Sequence, residues 1–288
     1  MSKKTLAFLK AGTAFFIWSL LGPILNLSKL NPFQNLFIVS IITCLAIIGY
    51  DYYSNNLRNF KELNVNTSVL LFLLLSGLNG VFFFNGLTLM PIAQGFLLLS
   101  TAPLFTFLIE VIVLKEKVLK SLIFSLLLGF VGVYLVLSRG MGAPSLFSHY
   151  FLGVALILGA AIVYSSRSVI LKKYSLTWPT HMSIFLILIS QAVFSAPFAF
   201  AKAWTFTSFE ILTVIFLIIF SSIVAFVFYI EAFKELRSSS VNLMGYTQPL
   251  LGTIWGYLFL NQSMAAKVVL GGLMILTASY IIAKTKES

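Results

Sequence analysis

The sequence predicts an all-α integral membrane protein with ten transmembrane helices, arranged as two inverted five-helix repeats around a central cavity. Apolar residues make up 59% of the 288 positions and charged residues only 9%, against about 25% charged residues in soluble proteins. Long apolar runs recur along the chain, and a bilayer-spanning helix needs about 20 such residues. These features exclude a soluble enzyme, a secreted disulfide scaffold and a disordered chain.

The helices are defined in chain order by apolar runs that end at polar residues or at Pro and Gly. Lysines precede the first run without a small-residue cleavage site after it, so we expect a retained helix rather than a signal peptide. Residues 68–114 are too long for one pass at about 1.5 Å per residue, and Pro91 marks the fold-back. The predicted helices lie near 7–28, 33–50, 67–89, 92–114, 119–138, 150–172, 181–201, 207–230, 239–260 and 265–283.

Basic residues are distributed unevenly between the two sides of this topology. Fourteen of the 19 Lys and Arg residues fall at the termini and in the connections on one side, while Lys29, Arg139, Lys202 and Lys267 fall on the other. Cytoplasmic connections are enriched in Lys and Arg. We therefore expect a multi-pass protein of the cytoplasmic (inner) membrane with both termini cytoplasmic. The topology then accounts for the net charge of +11, so no nucleic-acid partner is expected. The basic residues on the cytoplasmic side are suited to contact with anionic lipids.

The second half of the chain repeats the first. Pro103 aligns with Pro249 and Trp18 with Tyr164 at one constant shift. Each half has five helices, an odd number, so the second copy is inserted upside down. Transporters often use such repeats, with the substrate site between the halves near the bilayer midplane. We assign the repeats to residues 1–143 and 144–288.

Two segments carry a family resemblance. GLTLMPIAQGFLLLSTAPLFTFLIEVIVLKEKV at 86–118 and EAFKELRSSSVNLMGYTQPLLGTIWGYLFLNQSM at 231–264 resemble the signature of EamA-type members of the drug/metabolite transporter superfamily. The aromatic start FFIWSLLGP at 15–23 is similar to that family as well. The glycines of the last helix in each repeat also fit: Gly129, Gly132, Gly271 and Gly272. The resemblance implies a ten-helix carrier with a central cavity that moves amino acids, drugs or other metabolites by alternating access.

The two copies depart from the family pattern at the end of the segment. The family favours Gly-Glu there, but the first copy has Lys115-Glu116 and the second has Asn261-Gln262.

Charged residues within the spans are candidates for gating or coupling, because charge is costly inside a membrane. Glu110 and Arg167 each lie five residues before a lysine at a helix end. One hypothesis is that they meet and form a gate, or that Arg167 contacts a substrate carboxylate. The alternative is that both side chains extend to the membrane interface. Glu231 has the pattern of an ordinary helix-end charge.

Polar and aromatic side chains near the middle of the helices predict the substrate lining. Asn242 and Tyr246 share a helix face with Pro249, and Trp18 and Tyr164 occupy matching central positions rather than interfacial ones. The alternatives are plain packing and hydrogen bonding between helices. Pro103 and Pro249 should kink their helices and free a backbone carbonyl one turn earlier. The predicted lining is Trp18, Asn79, Phe83, Tyr164, Arg167, Tyr229, Asn242 and Tyr246.

The predicted function is secondary transport of a small metabolite, with export of an amino acid or related zwitterion as the leading prediction. The carrier is expected to be a monomer or homodimer that is either proton-coupled or facilitative. Uptake of a larger nucleotide-like metabolite such as S-adenosylmethionine is the runner-up, and a non-transporting receptor or assembly factor is a second alternative. No catalytic His, Asp or Ser set lies within a span, so an enzyme is not expected. With Cys44 as the single cysteine, no disulfide, metal or cofactor is expected.

Overall fold

The computed structural model describes residues 2–54, 65–89, 92–137, 148–260 and 266–284. These ranges contain helices and no strand. The helices are α1 (Lys3–Ser19), α2 (Leu21–Leu27), α3 (Pro32–Tyr53), α4 (Thr67–Thr88), α5 (Ile92–Leu99), α6 (Ala102–Val113), α7 (Lys120–Leu137), α8 (Ser148–Tyr174), α9 (Thr180–Ala199), α10 (Ser208–Phe216), α11 (Ala225–Glu235), α12 (Ser238–Leu243), α13 (Thr247–Leu260) and α14 (Ala266–Lys284). Pro91, Arg139, Asn261 and Gln262, on which earlier expectations rest, lie outside the described residues.

The helices make ten passes. Seven are long and apolar enough to cross a membrane, and the fifth and tenth, Lys120–Leu135 and Ala266–Ile282, are shorter apolar helices. The ninth pass consists of α12, a 3₁₀ turn and α13. Large apolar side chains such as Leu45 and Ile112 are exposed on the outside, as a lipid-facing surface requires. The predicted all-α membrane fold is therefore confirmed.

Side-chain capping sets where two passes begin. Asn31 and Gln34 form a capping box at the start of α3, and Thr207 and Glu210 form one at the start of α10. Each box satisfies backbone N–H groups that have no partner within the helix. Both boxes lie on the same side of the bundle, because passes two and eight run in the same direction.

Helix interruptions occur in the fourth and ninth passes, just before a proline. The Pro103 ring cannot fit against the carbonyl four residues earlier, and that residue, Leu99, is the last of α5. The residue four positions before Pro249 is Gly245, which lies in the 3₁₀ turn Met244–Tyr246. In each repeat, the equivalent pass is therefore interrupted about one turn before the equivalent proline.

The eighth pass contains a π-helical segment that the sequence did not predict. Residues Leu217–Val224 form the π-helix between α10 and α11. Such segments leave backbone carbonyls with altered partners and are frequent at functional sites. Here the Ser221 carbonyl accepts a hydrogen bond from Trp18 Nε1 at 3.1 Å, so the irregular turn is joined to the first pass.

The main helix contacts join the two repeats to each other. The second pass packs on the seventh (α3 on α9), the fifth on the tenth (α7 on α14), and the fourth on the ninth (α6 on α12). The third packs on the sixth (α4 on α8) and the first on the eighth (α1 on α11). If each pass is replaced by the equivalent pass of the other repeat, the same five contacts result. This is the pattern expected of two copies related by a pseudo-twofold axis.

Glycine allows the closest of these contacts. A Cβ on Gly132 would lie 2.7 Å from the Gly271 carbonyl oxygen in the contact of α7 with α14. A Cβ on Gly86 would lie 2.7 Å from Ile157 Cγ1 between α4 and α8. Small residues at such positions let membrane helices approach closely. Gly132 therefore lets the fifth and tenth passes, which belong to different repeats, approach each other closely.

Candidate functional site

A hydrogen-bonded cluster of side chains lies where the two repeats meet. The hydroxyl oxygen of Tyr164 lies 2.9 Å from that of Tyr229 and donates to Asn242 Oδ1 at 3.0 Å. Tyr229 donates to the same oxygen at 3.1 Å. Asn242 Nδ2 donates to Thr106 Oγ1 at 2.9 Å, and Ser168 Oγ lies 3.2 Å from the Tyr229 hydroxyl. We call these five residues the polar cluster.

Four passes contribute to the polar cluster. Tyr164 and Ser168 are four residues apart and so share a face of α8. Tyr229 lies on α11 beyond the π-helix, and Asn242 lies on α12 just before the 3₁₀ turn. Thr106, on α6, donates to the carbonyl of Ala102. The three passes with irregular helix, the fourth, eighth and ninth, therefore each contribute a polar side chain to the cluster.

Aromatic rings cover one side of the polar cluster. The Trp18 ring meets the rings of Phe15, Phe226 and Tyr229 edge to face, with centroids 5.5, 5.2 and 5.1 Å apart respectively. Phe233 meets Tyr229 at 4.8 Å. Trp18 and Tyr164, which occupy equivalent positions in the two repeats, thus both contact Tyr229. The site offers flat apolar surface beside neutral hydrogen-bonding groups, and it is closed in this conformation because Tyr229 is fully buried.

Three residues of the predicted lining lie in contacts between helices. Asn79 Nδ2 donates to the Ala160 carbonyl at 3.2 Å. Phe83 meets the rings of Phe84 and Phe96. Tyr246 is buried against the fifth pass, where its hydroxyl donates to the Leu126 carbonyl at 3.4 Å. Periodicity places a residue on a helix face but does not say which helix covers that face, so contact of these three residues with substrate stays a prediction.

Glu110 is fully buried and its partner is Arg237, not Arg167. Its carboxylate accepts hydrogen bonds from the backbone N–H groups of Ser238 and Ser239, at 2.7 and 3.3 Å, and from the Ser239 hydroxyl. Arg237 Nε lies 3.7 Å away. The first N–H groups of α12 have no partner within the helix and attract an anion. The hypothesis that Glu110 pairs with Arg167 is therefore wrong, and since Glu110 is buried it does not extend to the interface.

Arg237 joins this carboxylate to the connection after α6. Its Nη1 donates to the Lys117 carbonyl at 2.8 Å, and its Nη2 lies 3.8 Å from Glu116 Oε2. Arg237 is one of the fourteen basic residues that the sequence places at the termini and connections of one side, but it is only 6% exposed. The signal in the sequence is the run of three serines after it, which is typical of a helix start.

Other charged groups connect passes one, two, seven and eight on the face of the bundle where α1 begins, which we call the N face. Glu231 lies 3.2 Å from Lys10 Nζ and 2.6 Å from Lys234 Nζ, and accepts from Thr180 at 2.9 Å. It therefore bridges three passes and is more than a helix-end charge.

A second carboxylate on the N face was missed by sequence reasoning. Asp51 is fully buried at the end of α3, 3.2 Å from His181 Nε2 at the start of α9. The sequence gives no indication of this contact, because a residue at a helix end gives no periodicity signal for its burial. The described residues hold no group of three or more His, Cys, Asp and Glu side chains able to bind a metal ion.

The opposite face of the bundle is joined by bonds of a different kind. Trp255 Nε1 donates to Ser19 Oγ at 2.9 Å, linking passes nine and one. Gln34 Nε2 donates to the Lys202 carbonyl at 3.1 Å. Glu210 accepts from the backbone N–H of Lys29 at 2.9 Å. The ion pairs between passes in the described residues thus lie on the N face, and the polar cluster lies between the two closed faces.

Comparison with known proteins gives matches along the whole chain. The model of the EamA-like transporter family matches twice, at residues 5–138 and 151–284. A pseudopaline exporter of Pseudomonas aeruginosa is 23% identical, covering 72% of this chain and 71% of the relative. An S-adenosylmethionine uptake transporter of Rickettsia prowazekii is 24% identical, covering 88% and 82%. One crystal structure shares the fold, with a TM-score of 0.81, 20% identity and 96% coverage of both chains.

Proposed function

The chain belongs to the EamA-like transporter family, and from this membership we propose that it is an alternating-access carrier that exports a small amphipathic metabolite, an amino acid or related zwitterion. The observation that carries the proposal is the polar cluster, in which Tyr164, Tyr229 and Asn242 of the second repeat meet Thr106 of the first. A site built from both repeats is exposed to either side as the repeats rearrange.

The chemistry of the polar cluster supports a substrate of this class. Tyrosine and serine hydroxyls donate and accept, and an asparagine amide does both at separate atoms. Such groups can pair with an ammonium and with a carboxylate. The rings around Trp18 offer a surface for an apolar side chain. A relative named as an exporter supports the direction.

Uptake of a larger, nucleotide-like metabolite is the second candidate. The relative named as an S-adenosylmethionine uptake transporter favours it, and a purine ring could stack on the same aromatic side chains. A non-transporting receptor or assembly factor is the third candidate, which predicts binding without movement of solute.

Counterflow in proteoliposomes separates the three candidates. Vesicles preloaded with single amino acids, or with S-adenosylmethionine, are tested for accumulation of the labelled solute. We expect counterflow with at least one amino acid, and its loss in Asn242→Ala, which removes the amide shared by the two tyrosines. Thr277→Val is the matched control, because Thr277 is exposed on α14 and its hydroxyl donates only to its own helix. Counterflow with S-adenosylmethionine alone favours the second candidate, and none with any solute favours the third.

Location and coupling belong to the same proposal. We place the protein in the cytoplasmic membrane with the N face and both termini in the cytoplasm, because most basic residues fall on that side. Labelling of a cysteine at Ser288 only from the periplasm would contradict this orientation. Transport driven by an imposed pH gradient would distinguish proton coupling from facilitated diffusion.

A further inference from the structure

Arg167 is a buried cation that no carboxylate of the described chain neutralises. It lies in α8 and is 4% exposed. Its Nε atom is buried and has no hydrogen-bond partner among the described residues. Its described contact is with the ring of Tyr164, whose centroid lies 5.1 Å from the guanidinium carbon. Since burying a charge is costly unless the charge is paired, this position calls for an anion that the described residues do not supply.

The acidic residues that the structure describes all lie away from Arg167, and most of them contact other groups. There are eight Asp and Glu residues in the sequence, of which Glu62 and Glu287 lie outside the described residues. The described ones have these positions: Asp51 beside His181, Glu110 and Glu116 beside Arg237, Glu210 on the Lys29 N–H, Glu231 between Lys10 and Lys234, and Glu235 exposed. The partner of Arg167 therefore has to come from outside the described part of the protein.

The position of Arg167 points to the transported solute as that partner. Tyr164, on which the guanidinium lies, is a member of the polar cluster and bonds to Tyr229 and Asn242. Because Arg167 is almost wholly inside the protein, it does not reach the interface where lipid phosphates would neutralise it. Guanidinium groups bind carboxylates through two parallel hydrogen bonds.

From these observations we infer that Arg167 is the subsite that binds a carboxylate of the substrate, so that substrates carry a carboxylate and purely cationic or neutral compounds are poor ligands. This inference rests on the proposed function, because it assigns a role within the same site. The tyrosine and asparagine groups then contact the remaining polar atoms, and the rings around Trp18 contact the apolar part.

Ligand-induced thermal stabilisation of the purified protein tests this inference without any transport step. The probes are L-phenylalanine, L-phenylalaninamide, which lacks the carboxylate, and 3-phenylpropionate, which lacks the ammonium group. We expect both carboxylates to raise the unfolding midpoint and the amide to have no effect. Arg167→Gln should lose at least about tenfold in apparent affinity for the carboxylates, equal to about 1.4 kcal/mol. Arg167→Lys should retain part of that affinity, because it keeps the charge but not the planar fork.

The ligand-free midpoint provides an independent readout. Removing an unpaired buried charge relieves a cost, so Arg167→Gln without ligand should unfold at a higher temperature than the parent protein. Lys173→Gln is the matched control, since it removes an exposed cation from the same helix and should change neither readout. If Arg167→Gln does not fold, the carboxylate response of Arg167→Lys decides the matter.

Three results would overturn the inference: equal stabilisation by the amide and the carboxylates, no response to either carboxylate, or an unchanged carboxylate response in Arg167→Gln or in Arg167→Lys. The proposed function fails separately. If 3-phenylpropionate binds through Arg167 but no amino acid shows counterflow, the carboxylate subsite holds and amino-acid export is wrong. If amino acids show normal counterflow in Arg167→Gln, the export proposal stands and the subsite is wrong.

Discussion

At the scale of single residues, Tyr229 is the centre of the polar cluster. Its hydroxyl contacts Tyr164, Ser168 and Asn242, while its ring contacts Trp18. The midspan positions of Trp18, Tyr164 and Asn242 were predictable from sequence, because large polar or aromatic groups are unusual there. Thr106 and Ser168 were not, since a small hydroxyl that bonds within its own helix is common in membrane helices and gives no sign of a partner on another helix.

Substitution Tyr229→Phe tests the role of this hydroxyl. The ring packing is retained, but Asn242 loses one of its two tyrosine donors and Ser168 loses a partner. We expect the free energy of unfolding to fall by about 1 kcal/mol and the counterflow rate to fall by about tenfold, a loss of about 1.4 kcal/mol. Thermal unfolding and initial counterflow rates measure the two effects. Tyr280→Phe, at an exposed tyrosine of α14, is the control, and a Tyr229→Phe rate equal to that control would contradict the prediction.

At the scale of helices, the start of α12 depends on a side chain from the other repeat. Glu110 supplies the acceptor for the first N–H groups of α12, and Arg237 balances its charge. The sequence identified Glu110 as an unusual charge within a span. Arg167 was the candidate partner because it is the other charge within a span, at a similar distance from its helix end. The actual partner lies in a connection, whose conformation is decided by packing between the repeats rather than by local pattern.

A double-mutant cycle tests this partnership. Glu110→Gln should cost about 3 to 5 kcal/mol of stability by leaving Arg237 buried without its main counter-charge, less whatever Glu116 compensates. Arg237→Gln should cost a similar amount, and the double variant should cost less than the sum of the two. Glu110→Gln combined with Arg167→Gln should be additive, because those two residues share no contact. Denaturant unfolding measures the stabilities of the three single variants, Arg167→Gln included, and of the two double variants. Additivity in the first pair together with coupling in the second would reverse the assignment.

Helix packing also explains which glycines the chain requires. A Cβ on Gly132 meets a backbone oxygen of the tenth pass, which cannot move aside as a side chain can, whereas a Cβ on Gly49 meets nothing within 4 Å. Gly132→Ala should therefore lower the free energy of unfolding by about 1 to 3 kcal/mol. Gly49→Ala should raise it by about 0.5 to 1 kcal/mol, because alanine is the better helix former. Thermal unfolding of both variants checks the pair, and equal effects would show that the close contact is not structurally important.

At the scale of the whole molecule, the exchange of helix contacts between repeats follows from the internal repetition of the sequence. The ten passes, their order and the prolines that interrupt passes four and nine were all predictable, because hydropathy and proline chemistry act locally. The contacts between side chains on the two faces of the bundle were not predictable from the sequence. The pairs Asp51 with His181, Lys10 with Glu231 and Glu110 with Arg237 each join separate passes and depend on the completed fold. The pairs of Lys10 with Glu231 and of Glu110 with Arg237 make the N face an ionic closure, while neutral side-chain bonds hold much of the opposite face.

This difference between the faces predicts how opening can be biased. Alternating access requires each face to open in turn. The N face can open only if the Lys10–Glu231 ion pair between passes one and eight and the Thr180–Glu231 hydrogen bond between passes seven and eight separate. Glu231→Gln removes the charge shared by Lys10 and Lys234, and should shift the population toward conformations open at the N face. Trp255→Phe removes the bond to Ser19 and should favour opening at the opposite face.

A cysteine at Ser168, in a Cys44→Ser background, reports access to the polar cluster through its rate of reaction with an impermeant maleimide.

In sealed vesicles of known orientation, we expect Glu231→Gln to raise the labelling rate from the N face several-fold and to leave labelling from the opposite face unchanged or slower. Trp255→Phe should show the reverse. Glu235→Gln is the matched control, because Glu235 is an exposed carboxylate on the same helix as Glu231. Faster labelling from both faces in Glu231→Gln would indicate general loosening of the bundle instead of a shift between its two closures. Equal rates in Glu231→Gln and Glu235→Gln would show that the ion pairs of the N face do not control access, and the closure would then have to be assigned to the apolar contacts beneath them.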